Sequence, residues 1–363
     1  MPRLTLSREK LRANFENLED MFIGKDVSWG IVSKLFCGDM GFISEVLDLG
    51  IDEVHDARIL NLRSIKQERP QVRTVYIKPP AHSAIPDVVA WADISFNTEL
   101  STLAELNTEA LKQDKTHGVV IMVEMGDLRE GVLPESLLDF YRIALTFDRL
   151  EVRGIGTNLN CLSGVMPSEE VLTELVALKD MLEQRTGTEI ELVTAGTTVT
   201  LPMMLDGDLP DGINHFRLGE VLYFGQNLVE DETFEGWHDD VLELHADVIE
   251  VREKTMNPTG PLSTNPFGKT LEIEDSDRVA HRAIVDIGYL DVNPDFLIPD
   301  ADIDIIDASS DMLVLDIGAN RNDIAVGDTL TFRLKYMGAL HLMSSDYIDK
   351  VVASAGAELA VAS

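Results

Sequence analysis

The sequence predicts an α/β protein that folds as a (β/α)8, TIM-like barrel followed by a mostly β C-terminal domain. A chain of 363 residues exceeds the usual size of a single hydrophobic core, so we expect a large domain and a smaller second one. Short apolar runs alternate with amphipathic stretches from Val27 to about Gly225, and strand patterns dominate thereafter. We therefore expect the barrel in residues 12–225 and the β domain in residues 226–363, joined by an N-terminal strand over residues 1–11.

Eight apolar runs with many β-branched residues mark the barrel strands. They are VSWGIVSK, EVHDA, VRTVYIK, ISFNT, GVVIMVEMG, EVRGIGTN, IELVTAG and HFRLGE. The stretches between them, such as ELSTLAELNTEALKQ, place apolar residues three and four apart, which is typical of helices that bury one face. Eight strands fit a closed barrel better than an open doubly wound sheet, although the count alone allows both.

The pattern of the second domain is almost free of helices until its end. Runs such as LHADVIEVRE, RAIVDIGYLDV and DTLTFRLKYM predict strands separated by turns. The stretch TMNPTGPLSTNPFGK, residues 255–269, is rich in Pro, Thr, Asn and Gly and predicts a loop.

Composition excludes several classes of function. A net charge of −34 makes nucleic acid and anionic membranes poor partners, because both are polyanions. The N-terminus lacks a signal-peptide pattern, and no run approaches the roughly 18 apolar residues of a membrane span, so we expect a cytoplasmic protein. Cys37 and Cys161 are the 2 cysteines, too few for a disulfide framework or a structural zinc site.

Polar residues at the C-terminal ends of the predicted strands are the candidates for chemistry, since barrel enzymes place their active sites there. They are Lys34, His55, Asp56, Asn97, Arg129, Asn158, Thr197, Thr198 and Arg217. Lys34 follows an apolar run, where burial would make its amine a Schiff-base nucleophile; a lysine that snorkels at the rim is the alternative. Thr197, Thr198 and Gly219 follow the last two strands, where barrels commonly bind phosphate, although each is also an ordinary turn residue.

Several motifs resemble those of a known family. They are SKLFCGD, VEMGDLREGV, GIGTNLNC, TAGTTVT, NHFRLGEVLYFG, VDIGYLDV and ASSDMLVLDI. Their order resembles that of the fold-type III racemases, which are alanine-racemase-like enzymes with pyridoxal 5'-phosphate (PLP), and most closely the predicted amino-acid racemases that include ornithine racemase. The resemblance covers nearly the whole chain and implies an isomerase that interconverts L- and D-forms of a free amino acid.

The resemblance also implies residue roles. The lysine that carries PLP as a Schiff base falls on Lys34, and Tyr289, which enters from the partner subunit of a homodimer, is the second catalytic residue. An arginine beside the pyridine nitrogen falls on Arg217, and one beside the phenolic oxygen and the substrate carboxylate falls on Arg129. The remaining positions that line the cofactor are Asn158, Thr197, Thr198, Gly219 and Glu220.

These roles are chemically consistent. Inversion at Cα needs one acid/base group on each face, which Lys34 and Tyr289 supply. Tyr289 needs nearby positive charge or hydrogen bonds to work near neutrality, since an unperturbed tyrosine has a pKa of about 10. Arg217 donates to the pyridine nitrogen and leaves it unprotonated, which makes a weaker electron sink and favours racemisation over decarboxylation.

Five positions differ from the usual alanine racemase and argue against strict alanine specificity. Asn158 replaces a histidine, Met122 a lysine, Gly38 a tyrosine, Thr197 an asparagine and Ser310 a methionine. Ser309, Ser310 and Asp311 are predicted to border the substrate entrance, where an acid can meet the cationic side chain of ornithine or lysine. An aspartate that only shapes a β turn is the alternative.

Three other functions remain possible. A barrel protein that holds PLP without turnover would not explain the additional β domain. A decarboxylase of the same fold would need an acid where Arg217 stands. A metal-dependent aldolase would need a His/Cys/Asp cluster in the second domain, where His281 lacks such neighbours in the sequence, and no metal is expected.

Overall fold

The chain forms two compact units in a computed structural model that describes residues 1–264, 268 and 278–353. One unit is Arg8–Val241; the other combines Met1–Ser7, which holds strand β1 (Arg3–Ser7), with the chain from Leu242 onward. The divisions fall after Ser7 and Val241, where the sequence suggested residues 11 and 225. Asn14 explains the later one, because its side chain bonds the backbone of Leu222 and His238 and ties residues 226–241 to the first helix.

The first unit is a closed barrel of eight parallel strands, which confirms the predicted fold class and excludes an open doubly wound sheet. Its strands are β2 (Ser28–Val32), β3 (Glu53–Asp56), β4 (Arg73–Tyr76), β5 (Ile94–Asn97), β6 (His117–Met122), β7 (Leu150–Gly156), β8 (Leu192–Gly196) and β9 (His215–Leu218). Strand β9 closes the ring by pairing with β2.

Helices follow the strands around the barrel. They are α1 (Arg8–Phe22), α2 (Met40–Leu47), α3 (Ile59–Glu68), α4 (Ile85–Trp91), α5 (Leu100–Lys112), α6 (Pro134–Ala144), α7 (Glu169–Thr186), α8 (Leu201–Asp206) and α9 (Glu220–Phe224). Short 3-10 turns span Lys34–Phe36, His82–Ala84 and Thr198–Thr200, and the small hairpin of β10 (Gln226–Asn227) and β11 (Glu232–Thr233) follows α9. No helix in the described ranges is both long and apolar enough to cross a membrane.

Close packing of the barrel explains one glycine of the TAG motif. A Cβ added to Gly196 would lie 2.1 Å from the ring of Phe216 on the neighbouring strand, so a larger residue would displace that buried ring. Strand β8 can therefore approach β9 closely where both reach the C-terminal mouth of the barrel.

The second unit is mostly β, as predicted. Its elements are β1, β12 (Leu242–Thr255), β13 (Val279–Val285), β14 (Leu297–Ile298), β15 (Asp304–Ala308), β16 (Leu313–Asp316), β17 (Thr329–Leu334), α10 (Tyr336–Ser344) and β18 (Asp349–Ala353). The sheet runs β14-β17-β12-β13-β16-β15, and β1 pairs antiparallel with β12 and parallel with β18. Residues 256–264 of the predicted loop contain no helix or strand, and residues 265–267 and 269 lie outside the described residues.

Candidate active site

Three adjacent strands bring the predicted cofactor residues to the C-terminal mouth of the barrel. Strand β9 pairs with β2 on one side and with β8 on the other. Lys34 begins the 3-10 turn after β2, Thr198 begins the turn after β8, and Gly219 precedes α9 directly after β9. An amine, a hydroxyl and backbone donors therefore follow neighbouring strand ends, which is where barrel enzymes place their chemistry.

The direction of the chain at Lys34 is set by the residue before it. Ser33 is buried and donates its hydroxyl to Asp56 Oδ2 at 2.7 Å, and its N–H bonds the carbonyl of His55 at 2.9 Å. Burial raises the pKa of the Asp56 carboxyl, although hydrogen bonds from Ser33 and others oppose this. The Lys34 side chain itself is exposed. Asp56, a predicted strand-end candidate, thus anchors the turn that presents Lys34.

The Arg217 guanidinium is buried, and both of its terminal nitrogens are hydrogen-bonded to the protein. Its Nη1 donates to the carbonyl of Thr194 at 2.9 Å and to the Thr194 hydroxyl at 2.5 Å. Its Nη2 donates to the carbonyl of Thr157 at 2.9 Å and to Asn158 Oδ1 at 2.8 Å. Burial lowers the pKa of Arg217 to about 10, so the group still carries its proton near neutrality. The bonds within the described chain leave its Nε–H for a further acceptor.

Glu130 joins Arg129 to Asn158 beside Arg217. Arg129 bonds Glu130 through both Nε and Nη2, the latter at 2.5 Å from Oε1. Asn158 donates to the same Oε1 at 2.6 Å. Arg129, Asn158 and Arg217 therefore form one polar network. Sequence reasoning missed Glu130, for which the only signal was an acid next to a predicted site arginine.

Asp127 fastens the loop that follows β7 to the segment that carries Arg129. Its buried carboxylate accepts backbone N–H groups at 2.9 to 3.4 Å from Cys161, Leu162, Ser163 and Val165. Burial alone would raise the pKa of Asp127, but these bonds outweigh it and hold that pKa below its usual range. The buried aspartate thus gives both segments at this edge of the mouth a fixed shape.

The hydroxyls after β8 have different local roles. Thr198 is buried, and its Oγ1 accepts the N–H of Val221 at 3.4 Å, which links the turn after β8 to α9. Thr197 caps its own turn in a reciprocal arrangement with Thr200. Glu220 lies near Lys34: burial raises the pKa of its carboxyl, and the Lys34 charge opposes that rise. Thr198 therefore connects β8 to α9, whereas Thr197 shapes its own turn.

Tyr289 and the predicted substrate residues meet within the second unit. The N–H of Tyr289 donates to the carbonyl of Ser309 at 3.0 Å, and the hydroxyls of Ser309 and Ser310 each bond Asp311 Oδ1 at 3.1 Å. Tyr289 donates its phenol to Asp307 Oδ1 at 3.0 Å. Burial raises the pKa of Tyr289 to about 12, and the bond to Asp307 adds to this shift. The local carboxylates therefore oppose the ionisation that a catalytic tyrosine needs.

Two predicted candidates belong to the barrel wall. Asn97 donates to the carbonyl and hydroxyl of Ser95, and His55 bonds Glu53. Cys37 and Cys161 are exposed. In the part of the chain that the structure describes, the group with metal-ligand geometry is Glu53, His55 and His215, in the barrel. The aldolase alternative needs such a cluster in the second domain, whereas this group lies in the barrel.

Known proteins match this chain along most of its length. Residues 6–227 match the family model of the alanine racemase N-terminal domain. The ornithine racemase of Acetoanaerobium sticklandii is 33% identical over 96% of this chain and 99% of its own. The lysine racemase of Thermotoga maritima is 28% identical over 96% of this chain and 98% of its own.

A solved structure shares the fold. The alanine racemase from Bartonella henselae with covalently bound pyridoxal phosphate superposes with a TM-score of 0.73 at 16% identity, and covers 97% of this chain and 99% of that one. At this identity the likeness concerns the fold. Together with the family model and the curated relatives, these matches show that the chain belongs to the alanine racemase N-terminal domain family.

Proposed function

We propose that this protein is a PLP-dependent amino-acid racemase that inverts the α-carbon of ornithine, lysine or an alanine-like amino acid. The observation that carries the proposal is the buried Arg217 guanidinium at the same barrel mouth as Lys34, with its terminal nitrogens bonded to the barrel and Nε–H left over. The ornithine and lysine racemases among its relatives support the reaction class.

The donor set fits PLP. Lys34 would hold the aldehyde carbon, and the Nε–H of Arg217 would meet the pyridine nitrogen. The Thr198 hydroxyl and the backbone of Gly219 and Glu220 would hold the phosphate. When bound, PLP withdraws electrons from the bonds at Cα. Arg217 stays protonated near neutrality, so it would donate a hydrogen bond to the ring nitrogen and would not give that nitrogen a proton.

Two acid/base groups divide the proton transfer between them. Lys34 takes or returns the Cα proton on one face, and Tyr289 of a partner subunit does so on the other. Arg129 orients the substrate carboxylate. An ion pair with Glu130 holds the Arg129 side chain in place. The active unit is accordingly a homodimer whose sites combine the barrel of one chain with the β domain of the other. A cytoplasmic location stays a prediction of the sequence.

A basic substrate is favoured by the chemistry around Tyr289. Asp311 carries a carboxylate that the hydroxyls of Ser309 and Ser310 orient, and an oriented carboxylate suits a side-chain ammonium group. Ornithine and lysine carry that group, and alanine does not. We therefore expect ornithine and lysine to be better substrates than alanine.

The deciding experiment follows α-proton exchange and chirality for a panel of L- and D-amino acids incubated with the PLP-loaded protein in deuterated buffer. Inversion with deuterium at Cα supports a racemase and identifies its substrates. Exchange with retention would mean that one face lacks its base. Absence of exchange across the panel would contradict the proposal and favour a PLP-binding protein, and loss of carbon dioxide would favour the decarboxylase.

Shared active sites can be tested by mixing inactive subunits. Lys34→Ala and Tyr289→Phe homodimers are each expected to be nearly inactive, whereas co-expression places one intact site in each heterodimer. Random assortment should restore about a quarter of the wild-type rate. Activity that stays at the level of the separate variants would show that both residues serve the site of a single chain.

Glu130→Gln tests how Arg129 is held. Removing the carboxylate breaks the ion pair and leaves Arg129 less well fixed, so we expect KM to rise about tenfold with the visible absorption of the bound cofactor unchanged. Glu135→Gln, an exposed acid in the first turn of α6, is the matched control. An unchanged KM would remove Glu130 from the site.

Asp307→Asn tests the environment of Tyr289. The substitution removes a negative charge that favours the neutral phenol, so the pKa of Tyr289 should fall. The limb of the pH–rate profile that reports Tyr289 should move to lower pH by about one unit. Asp304→Asn, an exposed acid on the same strand, is the control, and identical profiles for both variants would contradict the assignment.

A further inference from the structure

A line of buried hydrogen bonds runs from Arg217 into the barrel, through residues that the proposed reaction does not use. Arg217 Nη1 donates to Thr194 Oγ1 at 2.5 Å. Thr194 Oγ1 lies 2.8 Å from His215 Nδ1, and His215 Nε2 lies 2.8 Å from Glu53 Oε1. Thr194 and His215 are at most 2% exposed. The three bonds join strands β3, β8 and β9.

The direction of each bond follows from its neighbour. A guanidinium has donors and no acceptor, so the Thr194 oxygen accepts from Arg217 and must donate its own proton elsewhere. His215 Nδ1 is the acceptor within reach, at 2.8 Å. A neutral histidine that accepts at Nδ1 carries its proton on Nε2, which therefore donates to Glu53. One tautomer of His215 satisfies the whole line.

The groups around Glu53 stabilise this tautomer of His215. Burial alone would raise the pKa of Glu53, yet hydrogen bonds from His215 and His55 outweigh it and hold that pKa well below its usual range. His55 Nε2 lies 2.6 Å from Glu53 Oε1, the oxygen that His215 also contacts, and Arg73 Nη1 lies 3.2 Å from Glu53 Oε2. Burial lowers the pKa of His215 and favours its neutral form. Glu53 thus remains an acceptor, and His215 remains a donor to it.

We infer that His215 is a positioning residue for Arg217, acting through the Thr194 hydroxyl. By accepting a hydrogen bond from the Thr194 hydroxyl, His215 orients a lone pair of that oxygen toward Arg217 Nη1. This contact fixes the plane of the guanidinium. That plane decides where Nε–H points. The inference rests on the proposed function, in which Nε–H meets the pyridine nitrogen of PLP.

Three substitutions separate the steps of this line. Thr194→Val removes the hydroxyl at nearly constant shape. His215→Gln can still reach Glu53 but offers Thr194 no acceptor at the Nδ1 position, whereas His215→Asn keeps that acceptor and loses Glu53. Ser95→Ala is the control, because it breaks another buried hydroxyl–histidine bond, 2.8 Å from Ser95 to His117, without touching Arg217.

The readout is the nitrogen NMR shift of 15N-labelled PLP in the loaded variants, which reports protonation and hydrogen bonding of the ring nitrogen. Thr194→Val and His215→Gln should move that shift and slow racemisation about tenfold, the effect of about one misplaced hydrogen bond. His215→Asn and Ser95→Ala should keep the wild-type shift. Matching thermal unfolding temperatures ensure that folded proteins are compared.

Failure of this inference can be told from failure of the proposed function. If the wild type racemises amino acids and all four variants keep its ring-nitrogen shift, His215 does not position Arg217. If the wild type shows no exchange, the proposed function fails, and the tautomer of His215 can still be read from 15N-histidine NMR of the protein without PLP. A proton on Nδ1 in that spectrum would overturn the hydrogen-bond line itself.

Discussion

Lys34→Ala is expected to abolish racemisation of every amino acid tested, with a loss of at least about a thousandfold, because the residue both holds the cofactor and moves a proton. The visible absorption of lysine-bound PLP should disappear as well. Chiral chromatography and absorption spectra of the purified protein, before and after addition of PLP, measure the two effects. The backbone turn at Lys34 should persist, since Ser33 and Asp56 hold it from the preceding position.

The control is Lys78→Ala, which removes another lysine that follows a barrel strand, in this case β4. It should keep both the absorption and the turnover of the wild type. Racemisation retained by Lys34→Ala would contradict the assignment of Lys34. Loss of both properties in Lys78→Ala would show that the assay responds to the removal of any lysine near a strand end.

Tyr289→Phe is expected to lower the racemisation rate by about a hundredfold to ten-thousandfold, the range of a lost general acid or base. PLP absorption should survive, because the tyrosine is not proposed to bond the cofactor. Exchange of the α-proton should persist for the enantiomer whose hydrogen faces Lys34 and fall for the other. Mass spectrometry of both enantiomers after incubation in deuterated buffer separates the two faces.

Tyr347→Phe is the matched control, because Tyr347 is a tyrosine of the same unit with 83% of its surface exposed. Equal loss of exchange for both enantiomers in Tyr289→Phe would indicate a damaged site in place of a missing base. Full racemisation by that variant would remove Tyr289 from the mechanism. The raised pKa of Tyr289 makes this test informative, since its immediate carboxylate neighbour opposes the base form.

Local patterns in the sequence determined the architecture. The alternation of apolar runs and amphipathic stretches predicted the barrel, because the hydrophobic periodicity of a strand or a helix depends only on residues close together in the sequence. The same order of elements predicted Lys34, Thr198 and Arg217 at strand ends; in the structure Lys34 and Thr198 follow β2 and β8, and Arg217 lies within β9. Motifs such as SKLFCGD and NHFRLGEVLYFG led to the family that the comparisons then showed.

The tertiary structure alone decided which strand-end residues cooperate. The pairing of β2 with β9 closes the barrel and brings Lys34 near Glu220. The bond between His215 and Glu53 joins residues 162 positions apart, and no spacing rule links such positions. The roles of Glu130 and Asp307 could not be predicted from the sequence either. Each acid has a role only because it contacts a site residue, Arg129 for Glu130 and Tyr289 for Asp307. One sequence records local preference, whereas contact across the fold depends on how the strands close.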